Sequence, residues 1–474
     1  MASKQLIVLL DGTWNDADEG PYDTNIVRLR GLINKSLSGA PLAAGAKQFV
    51  SSRVYEASGR SDDRQRLVFY ERGVGTGALR DQIFGGVFGH GLGDNVRRAY
   101  KFLCSRYEPG DEIFIFGFSR GAYTARSLVG LIGCSGLLER EFCTPELEER
   151  VWTYYRTPVN DRSPAVGDSF AEFVHDPARF HIACLGVFDT VGSLGVPLPV
   201  FRRKNRDIYS FHNVELGTIT KVSLHALAID EHREPFSATT WIKPMFKVFL
   251  PNAYVEQVWF PGVHGSVGGG YIPEEERVRD GARRAALDDI ALDWMLRRVV
   301  HYFPDFPVDL SRADVWTSPN ESWASAPQPE SRTLIYWLFP YVDRPIANYC
   351  DKPSVWRRHI PFIFMDRCGA FRHAEPIAEM AHISALQRYG EFVSVNDRRV
   401  RYRPRGLRVV LPFIGGTYGA PSAPAPVLRQ IRVVDWSGDI FDPEVKADRD
   451  RVSELLLGRP FIRADYLAAC EAIS

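Results

Sequence analysis

Five consecutive residues, Gly117-Phe118-Ser119-Arg120-Gly121, constrain this chain more than any other feature. They follow an apolar run, Glu112 to Phe116, that reads as a strand, and they open a stretch from Ala122 to Ile132 with helical spacing. A serine at a tight turn from strand into helix is pressed into a strained backbone conformation. Small residues two places to either side relieve the crowding, and Gly117 and Gly121 stand there. The hydroxyl then projects clear of the backbone, with the helix N-terminus behind it to favour developing negative charge. Strand, G-x-S-x-G, helix is the setting of a nucleophile elbow, so Ser119 is the candidate nucleophile. The same string would also suit a serine that caps a buried helix.

The first 300 residues alternate strand-like and helix-like segments. Strands are expected at Leu6–Leu10, Leu67–Tyr70, the run before Ser119, His181–Phe188 and Tyr254–Phe260. Helices are expected at Asn25–Leu37, Asp94–Tyr107, Ala122–Ile132, Thr218–Ile229 and Ala285–Phe303. Residues 38–66 read as a loop or insertion. This rhythm predicts an α/β fold with a mostly parallel sheet flanked by helices. Residues 1–304 form the expected catalytic domain. Residues 138–180, with Trp152, Tyr154, Tyr155, Phe170 and Phe173, break the rhythm after the nucleophile helix and read as an insertion able to cap the site. Residues 305–474 are richer in proline and form an appended C-terminal region. Its apolar runs at Leu407–Ile414 and Val427–Trp436 read as further strands, and Pro421–Pro426 as a hairpin loop or linker.

A serine needs a base to take its proton, and the base needs an acid to fix its tautomer. In a parallel sheet, residues just past the strand ends share one edge, so partners remote in sequence converge there. Asp189 ends the strand His181–Phe188 and is the expected acid; an Asx turn is its ordinary alternative. Asp230 is the rival acid, ranked second because it follows a segment read as helix. His264 follows the strand Tyr254–Phe260 and precedes Gly265 and Gly268-Gly269-Gly270, which let backbone pass close to a neighbour. The order Ser119, Asp189, His264 is that of α/β-hydrolase triads. For the oxyanion, the N–H of Arg120 is the first expected donor, and the loop after the first strand offers Gly12 or Thr13 as the second.

Composition narrows the rest. The chain has 474 residues with 58 Lys plus Arg against 58 Asp plus Glu, so nothing in its overall charge favours a nucleic-acid partner. Its seven cysteines are dispersed with no C-x-x-C pair, which reads as reduced thiols in a protein made in the cytoplasm. The short apolar start, Leu6–Leu10, ends in Asp11 and is too brief for a signal peptide, so cytoplasmic residence, or export without a signal peptide, is expected. No apolar run is long enough to span a membrane; the aromatic stretch Leu334–Phe339 suits a core segment, a lipid pocket or peripheral membrane contact. The glycines of Gly85–Gly93 lie too far past a strand for a dinucleotide fingerprint. The basic run Arg398–Arg405 reads as a solvated or salt-bridged strand, with anionic headgroups as the alternative. No metal or organic cofactor is called for.

Several blocks together resemble the lipase effectors of bacterial type VI secretion, in the class with G-F-S-R-G α/β-hydrolase domains. They are Leu10–Asn15, Thr24-Asn25-Ile26, Gly73–Gly77, Gly110-Asp111, Gly117–Arg126, Phe188–Gly192, and Trp259–His264 with Gly268-Gly269-Gly270. A later echo lies at His382-Ile383-Ser384 and Tyr402–Arg405. The resemblance implies a Ser-Asp-His triad at Ser119, Asp189 and His264, and phospholipase activity of the kind some members have. It also implies a secretion adaptor or immunity protein as partner. The family usually carries Asp two residues after the histidine, where this chain has Ser266. The reading is therefore a serine hydrolase of carboxylic esters, with phospholipid acyl esters as substrate. The alternatives are an esterase, thioesterase or amidase acting on a soluble small molecule, and a non-catalytic binding module that keeps the fold.

Overall fold

The computed structural model describes residues 3–12, 23–38, 54–61, 64–73, 87–191, 219–233, 236–242, 250, 252–271, 278–279, 282–311, 319–332, 341–348, 377–414 and 431–473. Leu334–Phe339, Val74–Gly77, the Gly85-Gly86 part of the glycine cluster and Pro421–Pro426 lie outside them.

The frame is a nine-stranded sheet. Its strands in chain order are β1 (Gln5–Leu10), β2 (Val54–Ser61), β3 (Arg64–Glu71), β4 (Glu112–Phe118), β5 (Ile182–Phe188), β6 (Thr220–Ala228), β7 (Tyr254–Phe260), β8 (Glu379–His382) and β9 (Arg432–Val434). Across the sheet they run β9-β8-β7-β6-β5-β4-β1-β3-β2. Every pairing is parallel except that of the edge strand β2 with β3. The sheet is covered on both faces, which is why β1, β4 and β5 are almost continuously apolar rather than alternating. In β1, Ile7 and Leu9 pack with the helices Asn25–Ser38 and Leu287–Tyr302. Leu6, Val8 and Leu10 face the helices Val87–Arg106 and Arg120–Ser135.

Three expectations change. Within the segment Thr218–Ile229, read as a helix, Thr220–Ala228 is instead the central strand β6. Its Leu and Ala residues are good helix formers, yet residues 222–228 are all buried between β5 and β7, and tertiary context overrides propensity. Residues 38–66 are not all loop, because β2 and the start of β3 fall within them. The sequence of β2, VYEASGRS, carries no apolar periodicity, as suits an edge strand paired on one side. Leu407–Ile414 is no strand; it finishes the helical turn Arg405–Arg408 and forms a 3-10 turn at Leu411–Phe413.

Trp152, Tyr155 and Phe170 are buried in the same cluster as the helices at 87–106 and 120–135. The C-terminal region supplies β8 and β9 and builds a third cluster around Trp259, Leu386, Leu407 and Ile462. Among the described residues no helix is long and apolar enough to cross a membrane.

Candidate active site

Parallel pairing aligns Phe118 with Phe188, Phe188 with Ala226, and Ala228 with Phe260. Ser119, Asp189 and the turn before His264 each come directly after these ends, so they meet at one edge.

Ser119 adopts φ 57° and ψ −120°. Its side chain makes no capping hydrogen bond to the helix it precedes, so the capping alternative is not realised. Its N–H donates to the Phe188 carbonyl at 3.1 Å, and its own carbonyl accepts from the Tyr123 N–H at 3.2 Å, which starts the helix. A side chain at Gly117 would lie 2.6 Å from the Gly121 carbonyl oxygen, and one at Gly121 would lie 2.1 Å from the Leu10 carbonyl oxygen. The two glycines therefore let strand, helix and β1 close around the serine.

His264 opens the short helix His264–Gly268, whose residues are all buried. The side-chain amide of Asn25 donates to the Val267 carbonyl at 2.9 Å and the Asp288 carbonyl at 3.1 Å, which ties this helix to two others. Gly268 packs on Phe118 so closely that a Cβ would sit 1.8 Å from its ring. The imidazole lies against Phe118, centroids 4.7 Å apart, and edge-on to Phe236 at 5.1 Å. Its Nε2 is 2.8 Å from the Ser119 Oγ, and its Nδ1 is 2.6 Å from the Asp189 Oδ2. The three candidates thus form one continuous hydrogen-bonded chain. Ser119 is 7% exposed and His264 6%, while Asp189 is fully covered.

Asp189 is held in a left-handed conformation, φ 41°. Its N–H donates to the Ala226 carbonyl at 2.7 Å, and its Oδ1 accepts the Ala228 N–H at 2.9 Å. Arg344, from the C-terminal region, spans the carboxylate: Nη2 donates to Oδ2 at 2.9 Å and Nη1 to Oδ1. Burial would push this carboxyl up, but the Arg344 charge and the His264 hydrogen bond outweigh it and hold the carboxyl well below the usual range. Burial dominates at His264, and its conjugate acid is weakened below the ordinary histidine value despite Asp189.

Asp230 does not bond to His264. Its Oδ2 accepts the Gly262 N–H at 2.6 Å, its N–H donates to the Gly262 carbonyl at 2.9 Å, and the Tyr402 hydroxyl donates to the carboxylate at 2.9 Å. It clamps the turn, where Gly262 has φ 107°, that delivers His264. Glu231 accepts the His264 N–H at 3.3 Å and is itself paired with Arg233. Ser266 is buried, and its N–H donates to the Val263 carbonyl at 2.8 Å.

At the oxyanion side, Arg120 is the first residue of the helix that follows Ser119, where backbone N–H groups have no partner within the helix. The Gly12 N–H donates to the Asp11 Oδ1 at 2.7 Å, and Thr13 lies outside the described residues. Asp11 also accepts from Thr24 Oγ1 at 2.9 Å and the Tyr70 hydroxyl at 2.8 Å. Burial pushes its carboxyl up to about 7 in spite of these donors. A raised folded value means the native state binds a proton that the unfolded chain releases near 3.8. The stabilisation is full below that unfolded value and is lost as pH rises through the folded one, by up to about 1.4 kcal/mol per pH unit. Asp11→Asn should therefore gain stability relative to wild type as pH goes from 5 to 8 in urea unfolding. Parallel pH dependences for the two proteins would contradict this.

Arg344, Phe236 and Glu231 escaped the sequence reading. Arg344 is 155 positions from Asp189, in a Pro-rich segment without periodicity, so no local signal marks it. Among the described residues no group of three or more His, Cys, Asp or Glu could hold a metal ion.

Comparison with known proteins adds three findings. A yeast protein, an uncharacterized protein of Saccharomyces cerevisiae, is 26% identical over 265 residues, which are 54% of this chain and 34% of that protein. The chain thus spans about a third of the length of that curated relative. Two solved structures share similarity at low superposition. One, the Tle1 effector bound to the VgrG spike of the type 6 secretion system, has 20% identity and a TM-score of 0.29, covering 57% of this chain and 52% of its own. The other, an uncharacterized protein from Pseudomonas aeruginosa, has 15% identity and a TM-score of 0.36, covering 99% of this chain and 62% of its own. Neither superposition bears on the assignment, which rests on the family model for the type VI secretion phospholipase effector, Tle1-like, catalytic domain. That model matches residues 4–298, well over half of the sequence and inclusive of Ser119, Asp189 and His264, and the chain belongs to this family.

Proposed function

We propose that the protein is a serine hydrolase that cleaves carboxylic esters, with acyl esters of phospholipids as its substrate class. The observation that carries this reading is the chain from Ser119 Oγ through His264 to Asp189, with links of 2.8 and 2.6 Å. Family membership supports the lipid substrate.

His264 Nε2 accepts the Ser119 proton as Oγ attacks the ester carbonyl. Asp189 Oδ2 accepts from the Nδ1–H, which fixes the tautomer and stabilises the imidazolium. The Arg120 N–H and one N–H from the loop after β1, at Gly12 or Thr13, hold the oxyanion. Use of the Gly12 N–H requires that it leave Asp11. Nε2–H then protonates the departing alcohol or lysolipid. Water, deprotonated by the same imidazole, releases the fatty acid and restores Ser119. The family description also supports a route of export through a type VI apparatus, with an adaptor as carrier, and peripheral membrane contact during turnover.

The test is a panel of phospholipid vesicles and short-chain esters, read for wild type and Ser119→Ala. Release of fatty acid from vesicles, well above that from monomeric esters and absent in the variant, is expected. Serine-dependent turnover of short soluble esters alone would replace lipid with a soluble substrate. No turnover anywhere would favour a binding module.

A further inference from the structure

In a serine–histidine–acid chain the negative charge of the acid stabilises the imidazolium. Here a buried cation lies directly against that acid. Arg344 is 2% exposed, and its guanidinium spans both oxygens of Asp189. The same fork donates to two backbone carbonyls, Ala228 at the end of β6 and Phe236, whose ring packs on His264. Four hydrogen bonds thus fix this side chain between β6, the acid and the wall of the histidine pocket. A bidentate arginine–carboxylate pair is geometrically rigid, so Arg344 fixes the plane of the carboxylate that His264 must meet.

We propose that Arg344 is a positioning residue that also balances charge: it orients Asp189 toward His264 and offsets the acid's negative charge, so that the imidazole remains a free base under acidic conditions. This rests on the serine-hydrolase reading above. The resting trio of Arg344, Asp189 and neutral His264 carries no net charge, and protonation of His264 makes it +1 in a buried place. Without the guanidinium, protonation would instead neutralise a buried carboxylate and be favoured.

Of the other charged groups around the imidazole, Arg233 disfavours its protonation and Glu231 favours it, so these two oppose one another. Glu231 accepts from the His264 backbone and is matched by Arg233. Asp230 is engaged with Gly262 and Tyr402. His225, behind Asp189 on β6, accepts the Thr190 N–H through Nε2, and burial holds its conjugate acid down to about 3. Arg126, which bears on His225, is a buried cation that donates to the Thr239 carbonyl. Direct contact with both Asp189 oxygens belongs to Arg344.

The experiment measures kcat/KM against pH for wild type, Arg344→Gln and Arg344→Lys with one soluble ester, after fluorophosphonate labelling of wild type has been mapped. Loss of the cation in Arg344→Gln should move the acid limb up by about one pH unit. Arg344→Lys keeps the charge but not the fork, so its limb should stay near that of wild type while kcat falls about tenfold. A purely structural role would lower activity or stability without moving the limb, so superimposed limbs for Arg344→Gln and wild type would overturn the inference. If Arg344→Gln does not fold, Arg344→Met, which keeps the stem without the charge, replaces it, and nitrogen NMR compares His264 in that variant with wild type. Titration about one pH unit above wild type agrees, and titration at the wild-type position contradicts it. An unlabelled wild type would remove the serine-hydrolase reading and this inference with it. Labelling with an unmoved limb would remove the inference alone.

Discussion

Ser119→Ala should lower kcat/KM on any turned-over ester by about four to six orders of magnitude, with folding intact. The size follows from how the site is built. The hydroxyl is 2.8 Å from the Nε2 of His264. Without the nucleophile, the imidazole, the acid and the oxyanion donors lose their common object. What survives is the catalysis that oxyanion stabilisation and binding give to attack by water. Ser119 makes no capping hydrogen bond and is nearly buried, so alanine removes little that stabilises the fold. Unfolding midpoints of the two proteins should lie close together while their rates diverge. A variant that keeps a tenth of wild-type activity would place the chemistry elsewhere.

Gly121→Ala should show the opposite pattern, with the fold itself compromised. The added methyl would lie 2.1 Å from the Leu10 carbonyl oxygen and 2.5 Å from that of Asp11. Both are main-chain atoms of the central strand and the turn beyond it, so no rotamer change can relieve the contact. The helix after Ser119 must move off β1, at a cost on the order of 3 kcal/mol. The same displacement carries Ser119 away from His264, and a shift of about 1 Å at such a site costs roughly a hundredfold in rate. Gly133, exposed on the same helix, is the control. A Cβ there meets Ile219 at 3.8 Å, an ordinary contact, so Gly133→Ala should stabilise by about 0.5–1 kcal/mol. Equal behaviour of the two variants would mean the turn is looser than described.

Residues that act through their position in a repeating pattern were legible in the sequence. Ser119 sits between a recognisable strand and helix, and Asp189 and His264 each follow an apolar strand. Parallel topology then requires their convergence. The glycines at 117, 121 and 268 were legible for the same reason, as each marks a close approach of backbone or ring. What the sequence concealed depends on contacts between distant segments. β6 reads as helix because its leucines and alanines suit either state, and only burial between two strands decides. Asp230 had the composition of an acid partner, but the paired geometry of Gly262 and Tyr402 makes it a clamp. Arg344 lies in a segment without periodicity, and its meaning comes entirely from a fork that meets Asp189 across 155 positions.

The account rests on Ser119 being an activated nucleophile. Its most direct measurement is peptide mapping of the protein after reaction with a fluorophosphonate, with His264→Ala run alongside. The expected result is a single phosphonylated peptide bearing the adduct on Ser119, with labelling slowed by orders of magnitude when the imidazole is removed. An adduct on another residue, or labelling at the same rate without His264, would contradict it.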